Sequence, residues 1–109
     1  MNLFMAGIDY TMAPVDVRAR FSYTETAARD ALLRWREQPG VEECVLLSTC
    51  NRTELYVVGN AEPAALLGRA DVDIRLVQRQ GLKAALHLHR VAGGLCSQVL
   101  GEEEILGQV

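Results

Sequence analysis

Apolar and polar residues follow one another along this chain in short blocks, and the spacing within each block predicts its secondary structure. The stretch from Asn2 to Asp9 is apolar enough for a buried first strand, which Thr11 to Pro14 interrupts. Proline favours the first position of a helix, so Pro14 is expected to open a short helical turn that extends to Arg20.

A longer amphipathic helix is predicted next. Its apolar residues recur at helical spacing and comprise Ala27, Ala28, Ala31, Leu32 and Trp35. Ser22 or Thr24 is available as the N-cap, and Pro39-Gly40 ends the segment. Trp35 is expected to anchor the core rather than to stack on a nucleic-acid base.

The middle of the chain predicts a β-hairpin. Cys44 to Leu47 and Leu55 to Val58 are short apolar runs, and the polar residues between them form the connection. A short helix over Ala64 to Arg69 and a fourth strand over Ile74 to Val77 are expected to follow. The apolar neighbours of Cys44 predict that its side chain packs within the strand.

The last pattern is again helical. Apolar residues from Leu82 to Ala92 recur at helical spacing, and Gly93-Gly94 is the expected stop. The main elements are thus predicted in the order strand, helix, strand, strand, helix, strand, followed by a C-terminal helical segment. This order predicts the ferredoxin-like α+β plan, βαββαβ, in which two helices cover an antiparallel sheet.

Length and composition narrow the classes of protein to which this sequence can belong. A chain of 109 residues with 50% hydrophobic residues forms one domain with a modest core, and no apolar run is long enough to cross a bilayer. The N-terminus lacks the basic region of a secretory signal, so a cytoplasmic protein without membrane contact is expected. Three cysteines without a C-x-x-C pair fit reduced thiols better than disulfides or a metal site.

Charge and motifs limit the kind of ligand. A net charge of −3 argues against a general nucleic-acid surface, although it leaves room for local contact with one end of an RNA. The sequence contains no G-x-G-x-x-G fingerprint and no P-loop. It therefore offers no motif for a nucleotide-binding fold.

Cys50 is the candidate nucleophile. It lies near solvent in the predicted turn Ser48 to Glu54, and Arg52, two residues later, is a cation that favours the thiolate. The alternative is that Cys50 is an ordinary small side chain, because a lone cysteine among polar residues is more often inert.

Two histidines provide a second candidate. His87 and His89 are two residues apart in the last predicted helix, so they cannot share one face. A helical histidine titrates near neutrality but is also a common packing residue, and the pattern alone favours packing.

The string Leu46-Leu47-Ser48-Thr49-Cys50-Asn51-Arg52-Thr53-Glu54-Leu55-Tyr56 resembles the active-site segment of glutamyl-tRNA reductases, which start tetrapyrrole synthesis from glutamate-charged tRNA. Gly7 to Val15, with Arg18, resembles the N-terminal signature of that family, and His87 to Gln108 resembles the motif after its catalytic strands. The resemblance covers nearly the whole chain. It implies NADPH-dependent reduction of glutamyl-tRNA to glutamate-1-semialdehyde through a thioester on Cys50.

The same resemblance implies roles for individual residues. Cys50 and His87 are expected to be catalytic, whereas His89, where the family commonly has Phe, is expected to pack. The implied substrate-binding residues are Thr49, Asn51, Arg52, Ser97, Glu102, Glu104 and Gln108. Among them, Arg52 is expected to hold the side-chain carboxylate of glutamate in a bidentate pair.

The chain departs from the family pattern at Tyr10, Cys96 and Glu104, where the family usually has His, Asp and Gln, and these departures leave room for altered specificity. Complete members carry an NADPH-binding domain and a dimerisation domain after the catalytic domain. Residues 1–109 are therefore expected to start the reaction without completing it. The resemblance also implies a homodimer in the complete enzyme and suggests glutamate-1-semialdehyde aminomutase as a partner.

A different class of function stays open. A ferredoxin-like fold also serves non-catalytic modules that bind a small ligand or a partner, and fold alone does not separate the two. Thiol reactivity does separate them. A catalytic Cys50 should alkylate much faster than Cys44, whereas a binding module should show similar rates at all three cysteines.

Overall fold

Within the described part of the chain, four strands form one antiparallel sheet. The structure is a computed structural model, and it describes residues 2–68 and 75–93. The strands are β1 (Leu3–Asp9), β2 (Val41–Ser48), β3 (Arg52–Gly59) and β4 (Val77–Gln80). They lie in the order β2-β3-β1-β4, and each neighbouring pair is antiparallel. This is the ferredoxin-like arrangement, so the predicted fold class is confirmed.

Over residues 2–68 and 75–93, four helices connect or follow the strands. They are α1 (Val15–Ala19), α2 (Glu25–Arg36), α3 (Pro63–Leu67) and α4 (Leu82–Ala92). Two predicted helix ends are confirmed, because the Thr24 side chain accepts a hydrogen bond from the Ala27 amide at 3.1 Å and Gly93 ends α4. Pro14 lies immediately before α1 and is not its first residue. Over the described residues, none of these helices is long and apolar enough to cross a membrane.

The fourth strand lies further along the chain than the sequence predicted. The prediction placed it at Ile74 to Val77, but β4 spans Val77–Gln80, and Ile74 lies outside the described residues. Beyond Val77 all residues of β4 are exposed. The prediction followed apolar and β-branched content. Among the described residues, however, β4 is an edge strand that pairs with β1 alone, and edge strands favour charged and polar residues.

Helices cover both faces of the sheet. On one face, Trp35 of α2 and Leu67 of α3 join a buried cluster with Leu55 and Val57 of β3. On the other face, Ala84 of α4 clusters with residues Leu3, Met5 and Tyr56 of the sheet. Because both faces are covered, β3 is buried along nearly its whole length, and any polar side chain on it lies in the interior.

Two packing predictions are confirmed. Trp35 is buried, and its ring contacts that of Tyr23 edge-on at a centroid distance of 5.8 Å. Cys44 is half-buried on β2 and packs against the cluster under α2. Burial raises the pKa of the Cys44 thiol, and the positive charge of Arg36 partly opposes this shift.

Candidate active site

The tip of the β2–β3 hairpin presents Cys50 to solvent, as the sequence predicts. The backbone amide of Thr49 donates to the carbonyl of Arg52 at 2.8 Å and closes the turn. The Thr49 Oγ1 accepts hydrogen bonds from the amides of Asn51 at 3.1 Å and Arg52 at 3.2 Å. Thr49 therefore shapes the turn that exposes the thiol, and Asn51 beside it is buried.

Arg52 is buried, whereas the sequence analysis placed it in an exposed turn from Ser48 to Glu54. It is the first residue of β3, and only 1% of its surface is exposed. One guanidinium nitrogen, Nη1, lies 3.3 Å from Glu54 Oε2 and 3.9 Å from Asp9 Oδ2. The guanidinium thus has two acidic neighbours inside the protein, and its predicted contact with substrate stays a prediction.

Glu54 is the functional candidate that the sequence analysis missed. It is 1% exposed, and its Oε2 atom lies 2.7 Å from His87 Nε2 as well as 3.3 Å from Arg52 Nη1. The other oxygen, Oε1, accepts a hydrogen bond from the Tyr56 hydroxyl at 2.9 Å. A buried carboxylate requires such partners, since an unpaired one is costly to remove from water.

The two-residue period of a β-strand is the sequence signal that could have identified Glu54 as a functional candidate. Because alternate side chains share a face, Arg52, Glu54 and Tyr56 lie in one row of β3. Tyr56 packs with Ala84 of α4, so this row faces the helix that carries His87. Recognising the row in advance would have required knowing that α4 covers this face.

The contact with Glu54 holds one ring nitrogen of His87. Glu54 Oε2 lies 2.7 Å from His87 Nε2, and an ionised carboxylate at this position would accept a hydrogen bond from Nε2, so Nδ1 is the ring nitrogen that Glu54 does not hold. The ring is thereby oriented by a buried partner. The neighbouring prediction for His89 is wrong, because that side chain is exposed rather than packed.

The two candidate catalytic residues line different pockets. Cys50 lines a pocket of about 210 Å³ together with Val15, Arg18, Ala19, Ser22 and Thr49. His87 lines a pocket of about 300 Å³ with Arg79, Lys83, Leu86 and Arg90. Strand β3 connects the two regions, since it begins two residues after Cys50 and carries the partner of His87.

Arg18 gives the Cys50 pocket a cation of its own. Its Nη1 donates to the carbonyl of Ala13 at 2.7 Å, which ties the side chain to the start of α1. The Nε atom of Arg18 is buried and makes no hydrogen bond to any described residue. The sequence analysis placed Arg18 in an N-terminal signature but not in the site.

Part of the predicted site is not described. The predicted substrate-binding residues Ser97, Glu102, Glu104 and Gln108 lie outside the described residues, as does Cys96. Within residues 2–68 and 75–93, no group of three or more His, Cys, Asp or Glu side chains is arranged to hold a metal ion.

Fold and site together define a ferredoxin-like domain that displays a thiol at a hairpin tip and contains a buried Arg52–Glu54 pair in contact with the half-buried His87. Comparison with known proteins identifies the family of this domain. Residues 6–109 match the family described as glutamyl-tRNA(Glu) reductase, N-terminal domain, and the chain belongs to that family.

Relatives agree with this assignment. The chain is 48% identical to the glutamyl-tRNA reductase of Rubrobacter xylanophilus and 41% identical to that of Moorella thermoacetica, and it aligns over 100% of its own length with each. It covers 28% and 27% of those proteins. The solved glutamyl-tRNA reductase from Methanopyrus kandleri superposes with a TM-score of 0.79 at 33% identity, over 97% of this chain and 26% of that one. The chain thus spans about a quarter of the length of these relatives.

Proposed function

We propose that this chain carries the acyl-transfer step of a glutamyl-tRNA reductase, in which glutamate moves from tRNA to the Cys50 thiol. The observation that supports this most directly is the exposed Cys50 at a hairpin tip, directly before a strand whose buried Arg52 and Glu54 are paired, with His87 of α4 in contact with Glu54. In the whole protein, NADPH-dependent reduction to glutamate-1-semialdehyde would follow, at the start of tetrapyrrole synthesis.

The proposed step is an exchange of one ester for another. The Cys50 thiolate attacks the carbonyl carbon that joins glutamate to the terminal ribose, and a C–S bond forms. The C–O bond to the ribose breaks, and the ribose oxygen takes up a proton as the tRNA leaves. Glutamate is left as a thioester, which is more electrophilic than a carboxylate.

His87 is the proposed proton-transfer group for this exchange. Its Nε2 is engaged by Glu54, so Nδ1 is the atom available to take the proton of the Cys50 thiol and then give it to the leaving ribose oxygen. A histidine whose second nitrogen is held by a buried carboxylate has a defined ring orientation, as proton transfer requires. Arg52 and Tyr56 support this arrangement because both contact Glu54. Asp9 supports it indirectly, because its carboxylate lies next to the Arg52 guanidinium.

Two arginines are candidates for the carboxylate of the glutamyl group. The resemblance assigns this role to Arg52, whose guanidinium would have to bind the substrate in addition to Glu54. Arg18 lines the Cys50 pocket directly. We retain Arg52 as the primary candidate, because a planar guanidinium forms bidentate carboxylate pairs. Thr49 and Asn51, which frame the thiol, are the proposed hydrogen-bonding neighbours.

The residues described do not fit the nicotinamide cofactor. The sheet is antiparallel throughout, and its strands lead into helices without a glycine-rich phosphate-binding turn. No hydride-transfer step is therefore assigned to these residues. On this basis the chain should not bind NADPH tightly, and calorimetry with NADPH checks that expectation.

The proposal is tested by following the loss of glutamate from glutamyl-tRNA in the presence of the chain. Wild-type chain should consume a stoichiometric amount of glutamyl-tRNA, and Cys50→Ser should consume none above the rate in buffer, since a hydroxyl is a poor substitute for a thiolate. Cys44→Ala is the matched control and should retain most of the reaction. Equal consumption by wild type and Cys50→Ser would contradict the proposal.

A further inference from the structure

Positive charge is concentrated in residues 75–93. This segment contains four of the eleven Lys and Arg residues and none of the fourteen Asp and Glu residues. The chain as a whole has a net charge of −3. The sequence thus separates its charges, and the segment that contains β4 and α4 is the cationic one.

The fold gathers three of those cations around one pocket. Arg79 on β4, with Lys83 and Arg90 on α4, lines the pocket of about 300 Å³ that also contains Leu86 and His87. Lys83, His87 and Arg90 are spaced four and three residues apart, so they share one face of α4. We refer to Arg79, Lys83 and Arg90 as the basic triad.

The basic triad is available to a ligand. All three side chains are exposed, and none of them makes an ion pair with another described residue. By contrast, the carboxylate of Glu54 nearby is buried and already engaged by Arg52, Tyr56 and His87. Within the described part of the chain, no carboxylate pairs with the positive charge of this pocket, and His87 links the pocket to the buried Glu54.

We propose that the basic triad binds phosphate groups at the 3′ end of the tRNA and so brings the terminal ribose to His87. This inference rests on the proposed function, which requires the ester at that 3′ end to reach the site. Arginine forks and a lysine ammonium are suited to phosphate oxygens. A local cluster of three cations matches contact with a few phosphates, whereas the net charge of −3 does not match a broad RNA surface.

The test compares two substrates that carry the same glutamyl ester. One is glutamyl-tRNA, and the other is the glutamyl ester of adenosine, which has the terminal ribose but no phosphates. Acyl transfer to Cys50 is measured for wild type, for the triple variant Arg79→Gln, Lys83→Gln, Arg90→Gln, and for Arg34→Gln. Arg34 is the matched control because it is an exposed arginine on α2, on the opposite face of the sheet.

The second-order rate constant for single-turnover acyl transfer from glutamyl-tRNA should fall at least about ten-fold in the triple variant, relative to its rate constant on the adenosine ester. The dependence of the logarithm of this rate constant on log salt should also become shallower by about one for each phosphate contact removed. The control Arg34→Gln should change neither quantity. All substitutions lie on exposed side chains, so the fold is expected to persist, and circular dichroism checks this.

Two results would overturn the inference. If the triple variant lost the same factor on both substrates, the triad would act on the glutamyl group or on His87 and not on phosphates. If transfer from glutamyl-tRNA were unchanged, the triad would not bind the tRNA, and an acidic protein segment would be the better ligand for it. If wild type transferred glutamate from neither ester, the proposed function would fail instead. In that case, filter binding of uncharged tRNA would test separately whether the basic triad binds tRNA. Equal affinity of the wild type and the triple variant for tRNA would overturn the inference.

Discussion

Gly7 lies directly opposite Glu54 in the β1–β3 pair, and a Cβ atom on Gly7 would be 2.7 Å from Glu54 Cγ. The same Cβ would be 2.7 Å from the backbone carbonyl oxygen of Thr53 and 3.1 Å from Glu54 Cα. Because backbone atoms are among these neighbours, rotating the Glu54 side chain would not make enough room. The absence of a side chain at Gly7 thus allows Glu54 to occupy its buried position beside His87.

Gly7→Ala should therefore destabilise the protein and disturb the Glu54–His87 contact together. Forcing a methyl group into a packed interior typically costs about 1–3 kcal/mol, which urea denaturation can measure. Gly93→Ala is the comparison, since a Cβ there would meet its nearest atom, the carbonyl oxygen of His89, at 3.3 Å, which is tight but longer than the contacts at Gly7, and the backbone has an ordinary φ of −81°. If Gly7→Ala were as stable as the control, the close approach to Glu54 would not limit this position.

Tyr56→Phe should reveal how much the carboxylate depends on its hydrogen bonds. The substitution removes the hydroxyl that donates to Glu54 Oε1 at 2.9 Å but keeps the ring that packs with α4. A hydrogen bond to a charged group contributes about 1.5–3 kcal/mol, and a loss of that size is expected in the free energy of unfolding. Tyr10→Phe, at a half-buried position, serves as the comparison. Equal stability of the two variants would mean that the Tyr56 hydroxyl does not support Glu54.

Arg52 is expected to matter for both stability and substrate. Arg52→Ala leaves Glu54 buried without its cation, and breaking a buried ion pair costs about 3–5 kcal/mol. Arg52→Lys keeps the charge but loses the planar fork, so acyl transfer should slow substantially while iodoacetamide alkylation of Cys50 changes little. Measuring both rates separates carboxylate recognition from activation of the thiol. Transfer at the wild-type rate in Arg52→Lys would exclude the recognition role.

The two described thiols should differ in reactivity. Cys50 is exposed, whereas Cys44 is half-buried and burial raises the pKa of its thiol. A raised pKa leaves less thiolate at neutral pH, so alkylation of Cys44 should be slow there and should increase only at higher pH. Peptide mass spectrometry after iodoacetamide treatment over a pH series measures both sites. Similar rates at both cysteines would favour a non-catalytic binding module.

Local patterns in the sequence predicted the elements on which the site is built. The apolar runs around Cys50 predicted a hairpin, and the helical spacing up to Ala92 predicted α4 with its end at Gly93. Those features depend on residues close together in the chain. Thr24 as a helix cap belongs to the same group, because its partner Ala27 is three residues away.

The features that depend on long-range contacts were missed. Glu54 and His87 are 33 residues apart, and their contact requires α4 to cover the face of β3 that carries Glu54. Burial of Arg52 has the same origin, since a strand covered on both faces hides even its polar residues. The shift of β4 to Val77–Gln80 reflects its edge position, which is defined by its pairing with β1 and not by its composition.

The most direct measurement is intact-mass and peptide mass spectrometry of the chain after mixing with glutamyl-tRNA in the absence of NADPH. We predict one glutamyl adduct per chain, located on Cys50, released by hydroxylamine as a thioester is, and absent in Cys50→Ser. An adduct on Cys44, or no adduct on wild-type chain shown by circular dichroism to be folded, would contradict the account.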